Sequence, residues 1–281
     1  MSATNHTSFS ATLARVRGST LRIAVAATFG CAIGLGLSFF IRPKYEAVIT
    51  IMPVDHRAQR GELSDIVSRV SGLAQLVGSN TAGDERAEAL AVLRSRALSV
   101  AMIEERNLRP ILFHKRWDNR AGQWRSKDTK RIPTLGEAFK RFDKQVRRVS
   151  EDRRTGIVTL SILWSDPDVA AQWATYLVEK ANEDLRQRAI LEAEESIAYL
   201  NKELVKTSVV EIRQAIYRLL EIKINAIMLA NVQKEYAFRV IDPAAAPDEK
   251  DFAWPLRPLF AVAGLVVGAL IGLAWVSVRR D

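Results

Sequence analysis

Apolar residues along this chain follow three rhythms. The first is continuous. Ile23 to Ile41, bracketed by Arg22 and Arg42, and Leu259 to Val278, followed by Arg279, Arg280 and Asp281, carry no charge. Each run is about twenty residues, enough to cross a bilayer as a helix. The first run ends in bulky Phe39-Phe40-Ile41 and has no small-x-small cleavage site, so it reads as a span rather than a signal peptide. Both termini then share one side of the membrane and the middle of the chain lies on the other.

The second rhythm alternates. Tyr45, Ala47, Ile49 and Ile51 predict a strand ended by Pro53. Lys144–Ser150 and Ile157–Trp164 flank the turn Glu151–Gly156 as a hairpin, and its second strand, apolar on both faces, reads as central. Tyr236–Ile241 is a further short strand.

The third rhythm is helical. Leu63, Ile66, Val67, Val70, Leu73, Leu76 and Val77 share a face, followed by a loop over Gly78–Gly83. Asp84 to Leu108 reads as one helix, with Leu90, Leu93, Leu98, Met102 and Ile103 inward and Pro110 closing the region. Leu135–Phe142 is another helix. Asp166 then serves as an N-cap, Pro167 suits the first helical position, and Asp168 suits the helix dipole. Val169, Trp173, Leu177, Ala181, Leu185, Ile197, Leu200 and Leu204 mark one apolar face. Unbroken to Val205, this helix is about forty residues and roughly 60 Å long. Thr207-Ser208 interrupts it, and Ser208 with Glu211 fits a capping box for a returning helix through Ile212, Ile216, Leu219, Leu220, Ile227 and Met228.

The predicted architecture is α+β, with two transmembrane helices flanking an α/β body that carries a long projecting helical hairpin. Its segments are a tail (1–21), a first span (22–41), the body (42–165), the helical arm (166–235), a return strand and proline-rich segment (236–258), a second span (259–278) and a tail (279–281).

Composition narrows the class. Of 281 residues, 48% are hydrophobic and 26% charged, which excludes a multi-span channel. The single cysteine, Cys31, lies in the first span, so one chain forms no disulfide. Basic residues flank both ends of the spans (Arg15, Arg17, Arg22, Arg279 and Arg280 against Arg42, Lys44, Arg57, Lys250 and Arg257), so charge alone does not set the orientation. The net charge of +9 suits anionic lipid, acidic polysaccharide or nucleic acid. Its densest run covers residues 106–131, with Trp117 and Trp124 interleaved. A solvated loop with two tryptophans packed on the domain accounts for it; an anionic glycan or lipid surface is the alternative, and nucleic acid is not expected.

Candidate chemistry is sparse. His6, His56 and His114 are too scattered for a metal site, no P-loop is present, and Glu194-Glu195 sits on a charged helix face. No enzyme activity, cofactor or metal is expected. Gly30 and Gly34 form a small-xxx-small pair in the first span. Gly264, Gly268 and Gly272 recur every four residues in the second, on one face where backbones can approach closely.

The order of these features resembles the bacterial polysaccharide co-polymerases, the Wzz-type chain-length determinants of O-antigen and related glycans. It is carried by the Tyr45-x-Ala strand, by Gly156-Ile-Val-Thr-Leu-Ser-Ile-Leu-Trp-Ser-Asp-Pro167, and by Phe238 to Pro258 joined to the glycines of the second span. The family usually carries Ser-Pro-Lys or Pro-Lys-Arg before the second span, where this chain has Trp254-Pro-Leu-Arg-Pro258. The resemblance implies cytoplasmic termini, a periplasmic body and a homo-oligomer on the bacterial inner membrane. It implies no activity of its own and action with a membrane polysaccharide polymerase on the nascent glycan. Candidate contact residues are Pro243, Pro247, Pro255, Arg257, Pro258, Gly264, Gly268 and Gly272, with Leu200 on the arm. Two further readings stay open: an export adaptor that modulates a separate cytoplasmic tyrosine kinase, and a two-span sensor of a periplasmic ligand.

Overall fold

The computed structural model describes residues 24–54, 82–248 and 250–278, with the side chains of 82–84 and 274–278 excepted. The helix expected over Leu63–Val77, most of the loop after it and both terminal tails lie outside the described residues. The chain divides into two units, Met1–Tyr45 with Asp248–Asp281, and Glu46–Pro247.

The larger unit is built on a four-stranded sheet in the order β4-β5-β1-β6. Strand β1 (Tyr45–Pro53) alternates as its sequence requires: Ala47, Ile49 and Ile51 are buried, and Val48 and Met52 are exposed. Strands β4 (Arg147–Glu151) and β5 (Val158–Trp164) form the expected antiparallel hairpin. β5 is central and is buried at Val158, Leu160, Ser161 and Ile162. Strand β6 (Phe238–Asp242) returns from far along the chain to pair antiparallel with β1, with a register shift between Thr50 and Ile51.

Helices α2 (Ala82–Arg94), α3 (Arg96–Glu105), α4 (Leu108–Leu112) and α5 (Leu135–Gln145) contribute to the core on this sheet. The single helix expected from Asp84 to Leu108 is therefore broken twice. Ser95 takes an extended backbone and caps α3, its Oγ accepting from the Leu98 N–H at 3.1 Å. The buried Arg147 donates to the carbonyls of Leu93 (2.9 Å) and Arg94 (3.0 Å), which takes up orphan acceptors at the end of α2. Asn107 then adopts a left-handed backbone (φ 47°), and α4 starts after it. Pro110 does not close the region. It sits in the first turn of α4, where its missing N–H has no intrahelical partner to lose.

Helix α6 (Pro167–Lys206) runs forty residues, about 60 Å. Asp166 caps it, accepting from the Val169 N–H at 3.1 Å. Its first half carries Ala170, Trp173, Ala174, Leu177, Ala181 and Leu185 into the main core, where Trp173 meets Trp164 with ring centroids 5.0 Å apart. Its far end belongs to a separate small cluster, Leu200 with Ile216, Leu219 and Leu220 of α7 (Val210–Val232). The capping box expected from Ser208 and Glu211 is not formed. Val209 is the N-cap and makes no side-chain cap bond. Glu211 is then the second helical residue, one short of the position the box requires.

Two polar contacts tie α6 to the rest of the unit. Asn182, 4% exposed, accepts from the N–H groups of Ala237 (2.9 Å) and Phe238 (2.7 Å) and donates to the Phe238 carbonyl (3.0 Å). Nearer α3, Glu105 accepts from the Tyr176 hydroxyl and pairs with Lys180 at 3.0 Å, while Arg106 lies over the Tyr176 ring. The bonds from Tyr176 and then Lys180 hold the Glu105 carboxyl below its ordinary range. Among the described residues, no helix is long and apolar enough to cross a membrane; the spans expected above are not established by the described helices.

Asn182→Leu should strand two donors and one acceptor of the backbone at Ala237 and Phe238. A loss of about 2–4 kcal/mol in denaturant unfolding is expected. Glu105 has a depressed folded pKa, so its stabilisation is present above its unfolded value and lost as pH falls through the folded one. The stability gap between wild type and Glu105→Gln should close on acidification over that window, as read by melting temperature against pH.

Candidate functional site

The smaller unit contains helix α1, helical over residues 24–40, and helix α8 (Arg257–Val278). They meet along glycines. A Cβ placed on Gly30 would lie 2.3 Å from the Gly264 carbonyl oxygen, and one on Gly34 would lie 2.4 Å from that of Phe260. A Cβ on Gly268 would lie 2.3 Å from the Ala26 carbonyl oxygen. No side chain fits there without moving a backbone, and removing the side chain is what lets the two helices approach. The large residues point the other way: Phe29, Ile33, Leu37, Val262, Val266, Leu270 and Ile271 are all exposed. The glycine face was expected to receive another subunit or a polymerase. In the structure the near neighbour of Gly264 and Gly268 is the first helix of the same chain, and Gly272 is also buried.

Short contacts close the approach to these helices. Lys44 and Trp254 form an antiparallel bridge, the Lys44 N–H donating to the Trp254 carbonyl at 2.9 Å and its carbonyl accepting from Ala253 at 2.8 Å. Trp254 packs edge-on to Phe260, and Pro255 between them in sequence is buried. Arg257 lies over two rings, Phe39 at 4.6 Å and Phe252 at 4.5 Å. The candidate residues thus divide. Pro255, Arg257, Gly264 and Gly268 take part in the smaller unit, and Pro258 is exposed there. Pro243, exposed, and Pro247, half-buried, belong to the larger unit, as does Leu200 in its own cluster.

The basic run is more ordered than a solvated loop. Strands β2 (Trp117–Asp118) and β3 (Gln123–Trp124) form a small hairpin that sets the two tryptophans edge to face, centroids 4.9 Å apart and planes at 77°. Asp118 accepts from the N–H groups of Arg120 (3.0 Å) and Ala121 (3.3 Å), and Gly122 takes the left-handed backbone (φ +61°) that closes the turn. Trp124 packs against the main core and both rings are half-buried. A cavity of about 700 Å³ opens along the hairpin, lined by His114, Asn119, Arg120, Gln123 and Lys127 besides the two rings. A second, of about 480 Å³, lies beside it at Lys115, Arg116, Lys130 and Arg131. The acids nearby are engaged: Asp128 accepts from the Lys130 N–H, and Glu137 closes a capping box with Thr134. The spacing Asp118-x-x-x-Gly122 between two tryptophans was the turn signal in the sequence, hidden by the charge around it. Among the described residues, no group of three or more His, Cys, Asp or Glu could hold a metal ion.

No protein-family model matches the chain, and no curated protein matches it in sequence. Solved structures do. A full-length bacterial polysaccharide co-polymerase matches over 95% of this chain and 96% of its own, at 12% identity and a TM-score of 0.42. A fragment of WzzB, a polysaccharide co-polymerase from Salmonella Typhimurium, covers 74% of this chain and 98% of its own, at 14% identity and a TM-score of 0.36. A point mutant of the Shigella flexneri lipopolysaccharide O-antigen chain-length regulator covers 74% and 100%, at 13% identity and a TM-score of 0.26. Likeness at this level carries no argument of its own.

Gly268→Leu should force α1 and α8 apart. Spin labels at the exposed positions Val25 and Leu270 should report a longer and broader distance distribution than in wild type. An unchanged distribution would mean that the seam is not the contact holding the pair.

Proposed function

We propose that this chain is a non-enzymatic polysaccharide co-polymerase that regulates the chain length of O-antigen or a related surface glycan. In this reading it forms a homo-oligomer in the bacterial inner membrane, with termini cytoplasmic and the main unit periplasmic, and acts with a membrane polymerase. One observation carries the reading. Two of the segments that carry the sequence resemblance, the strand opened by Tyr45-x-Ala (Tyr45–Pro53) and the start of Phe238–Pro258 (Phe238–Asp242), are paired strands of one sheet, and in sequence they are the strands next to the two apolar helices. The body is therefore closed by the strands that lead from one apolar helix and into the other.

The helix pair supports a membrane setting. Its small residues face inward and its large apolar residues outward, the reverse of a helix pair packed for water. Exposing so many large apolar side chains would cost about 1.5–3 kcal/mol each in water and nothing comparable in lipid. The distal cluster of α6 and α7 gives the arm its own small core, separate from the sheet. Val205, Val210, Ile224, Met228 and Val232 remain exposed on the hairpin, which suits a neighbouring copy of the chain.

The test is the polysaccharide ladder of a deletion strain complemented with variants. Loss of modal length in the deletion, restored by wild type, is expected. Leu200→Asp places a charge in the distal cluster, so the arm or assembly should fail while the sheet stays folded. Its ladder should be broadened or shortened with polymer still made, because polymerisation belongs to another protein. Complete loss of polymer in a well-expressed Leu200→Asp strain would favour the export-adaptor reading instead.

A further inference from the structure

We infer that the Trp117–Trp124 hairpin is a binding site for an acidic saccharide, taken up in the cavity beside it. This deepens the proposed function and rests on it for its biological meaning, since it supplies a place where the periplasmic unit would hold an anionic glycan. The hairpin is a built feature. Trp124 is fastened to the main core, Trp117 stands against it edge to face, and Asp118 and Gly122 fix the turn between them. Arg125 reinforces it, donating from Nε to the Trp117 carbonyl at 3.3 Å and from its backbone N–H to the Arg116 carbonyl at 3.0 Å.

The cavity combines the two groups a charged sugar requires. A half-exposed indole offers an apolar face for the C–H side of a pyranose ring, and its position is held without losing side-chain freedom on binding. Arg120 and Lys127 bring cations to the same cavity, and Asn119 and Gln123 bring amides for hydroxyls. Among the described residues, Asp118 is the one carboxylate in the lining, and it is engaged in the turn. A carboxylated or phosphorylated sugar is therefore favoured over a neutral one. Single-stranded nucleic acid is a poorer fit: successive bases stack on roughly parallel platforms, and these two rings stand at 77°. The volume of about 700 Å³ admits a few sugar residues of an open chain.

The experiment titrates the purified full chain in detergent with hexameric oligogalacturonate, and with maltohexaose and inorganic polyphosphate as controls, by calorimetry and tryptophan fluorescence. Oligogalacturonate should bind in a salt-sensitive manner, and both controls more weakly. Trp117→Ala should weaken binding by about tenfold, and so should Arg120→Gln combined with Lys127→Gln. Trp117→Phe, which keeps a ring in place, should recover most of the affinity and shows that the hairpin survives. Equal binding of polyphosphate, or of oligogalacturonate to wild type and Trp117→Ala, would reduce the site to a general electrostatic patch and overturn the inference. Equal binding of maltohexaose would overturn its preference for acid. The ladder separates this from the parent reading. Absent binding with length control intact sinks the site alone, whereas binding with a ladder indifferent to deletion sinks the chain-length function and leaves the site.

Discussion

The larger unit depends on a contact between a helix and the first residues of a strand. β6 arrives after the chain has travelled out along α6 and back along α7, and its register on β1 has to be specified on return. Asn182 does this with three hydrogen bonds to the backbone of Ala237 and Phe238. A buried amide with both ends engaged is selective, because any slip of the strand leaves donors and acceptors unpaired in a dry environment. Phe238, fully buried, adds an apolar lock at the same place. The place of β6 at the edge of the sheet rests on this fastening.

The helix pair of the smaller unit uses the opposite economy. Its contact is made by residues that have no side chain, and its bulk lies outside. Backbone proximity takes the place of side-chain interdigitation, so the seam tolerates no Cβ at Gly30, Gly264 or Gly268. Arg257 adds a cation between Phe39 and Phe252 where α8 begins, a contact that a lysine could make less well, since a planar guanidinium stacks on rings. Within Trp254–Pro258 the one basic residue, Arg257, is thus used to hold the chain's own aromatic residues.

The long hairpin divides its energetics in two. Near the sheet, α6 is covered on one side by β5, α2 and α3, and Glu105, Tyr176 and Lys180 lace it laterally. Far from the sheet, among the described residues, it packs on α7, where a cluster of four buried apolar residues holds two helix ends together. Local opening should therefore begin at the distal end and leave the sheet untouched, as expected where few apolar contacts cover the backbone.

Features that one periodicity or one cap can specify were legible along the chain. The alternation of Tyr45–Ile51, the apolar run of Val158–Trp164, the Asp166-Pro167 start and the two long helical faces each reflect interactions within a few residues or with a generic core. Contacts between residues distant in the chain were not legible there and came with folding. At the break before Ser95, the carbonyls of Leu93 and Arg94 are taken up by Arg147, which donates to both from more than fifty residues away. The glycines of α8 show a face free for close approach, but the identity of the occupant, α1, is a matter of folding back. The Trp117–Trp124 pair lay in a run whose charge argued for a loop, and its hairpin emerges because Trp124 finds the core. Asn182 sits on a helix face where its side chain could have met solvent; its role appears only when β6 returns beside it. In each case the missing information was which distant backbone would be left with unpaired donors or acceptors, or with room for no side chain, and a linear pattern does not carry that.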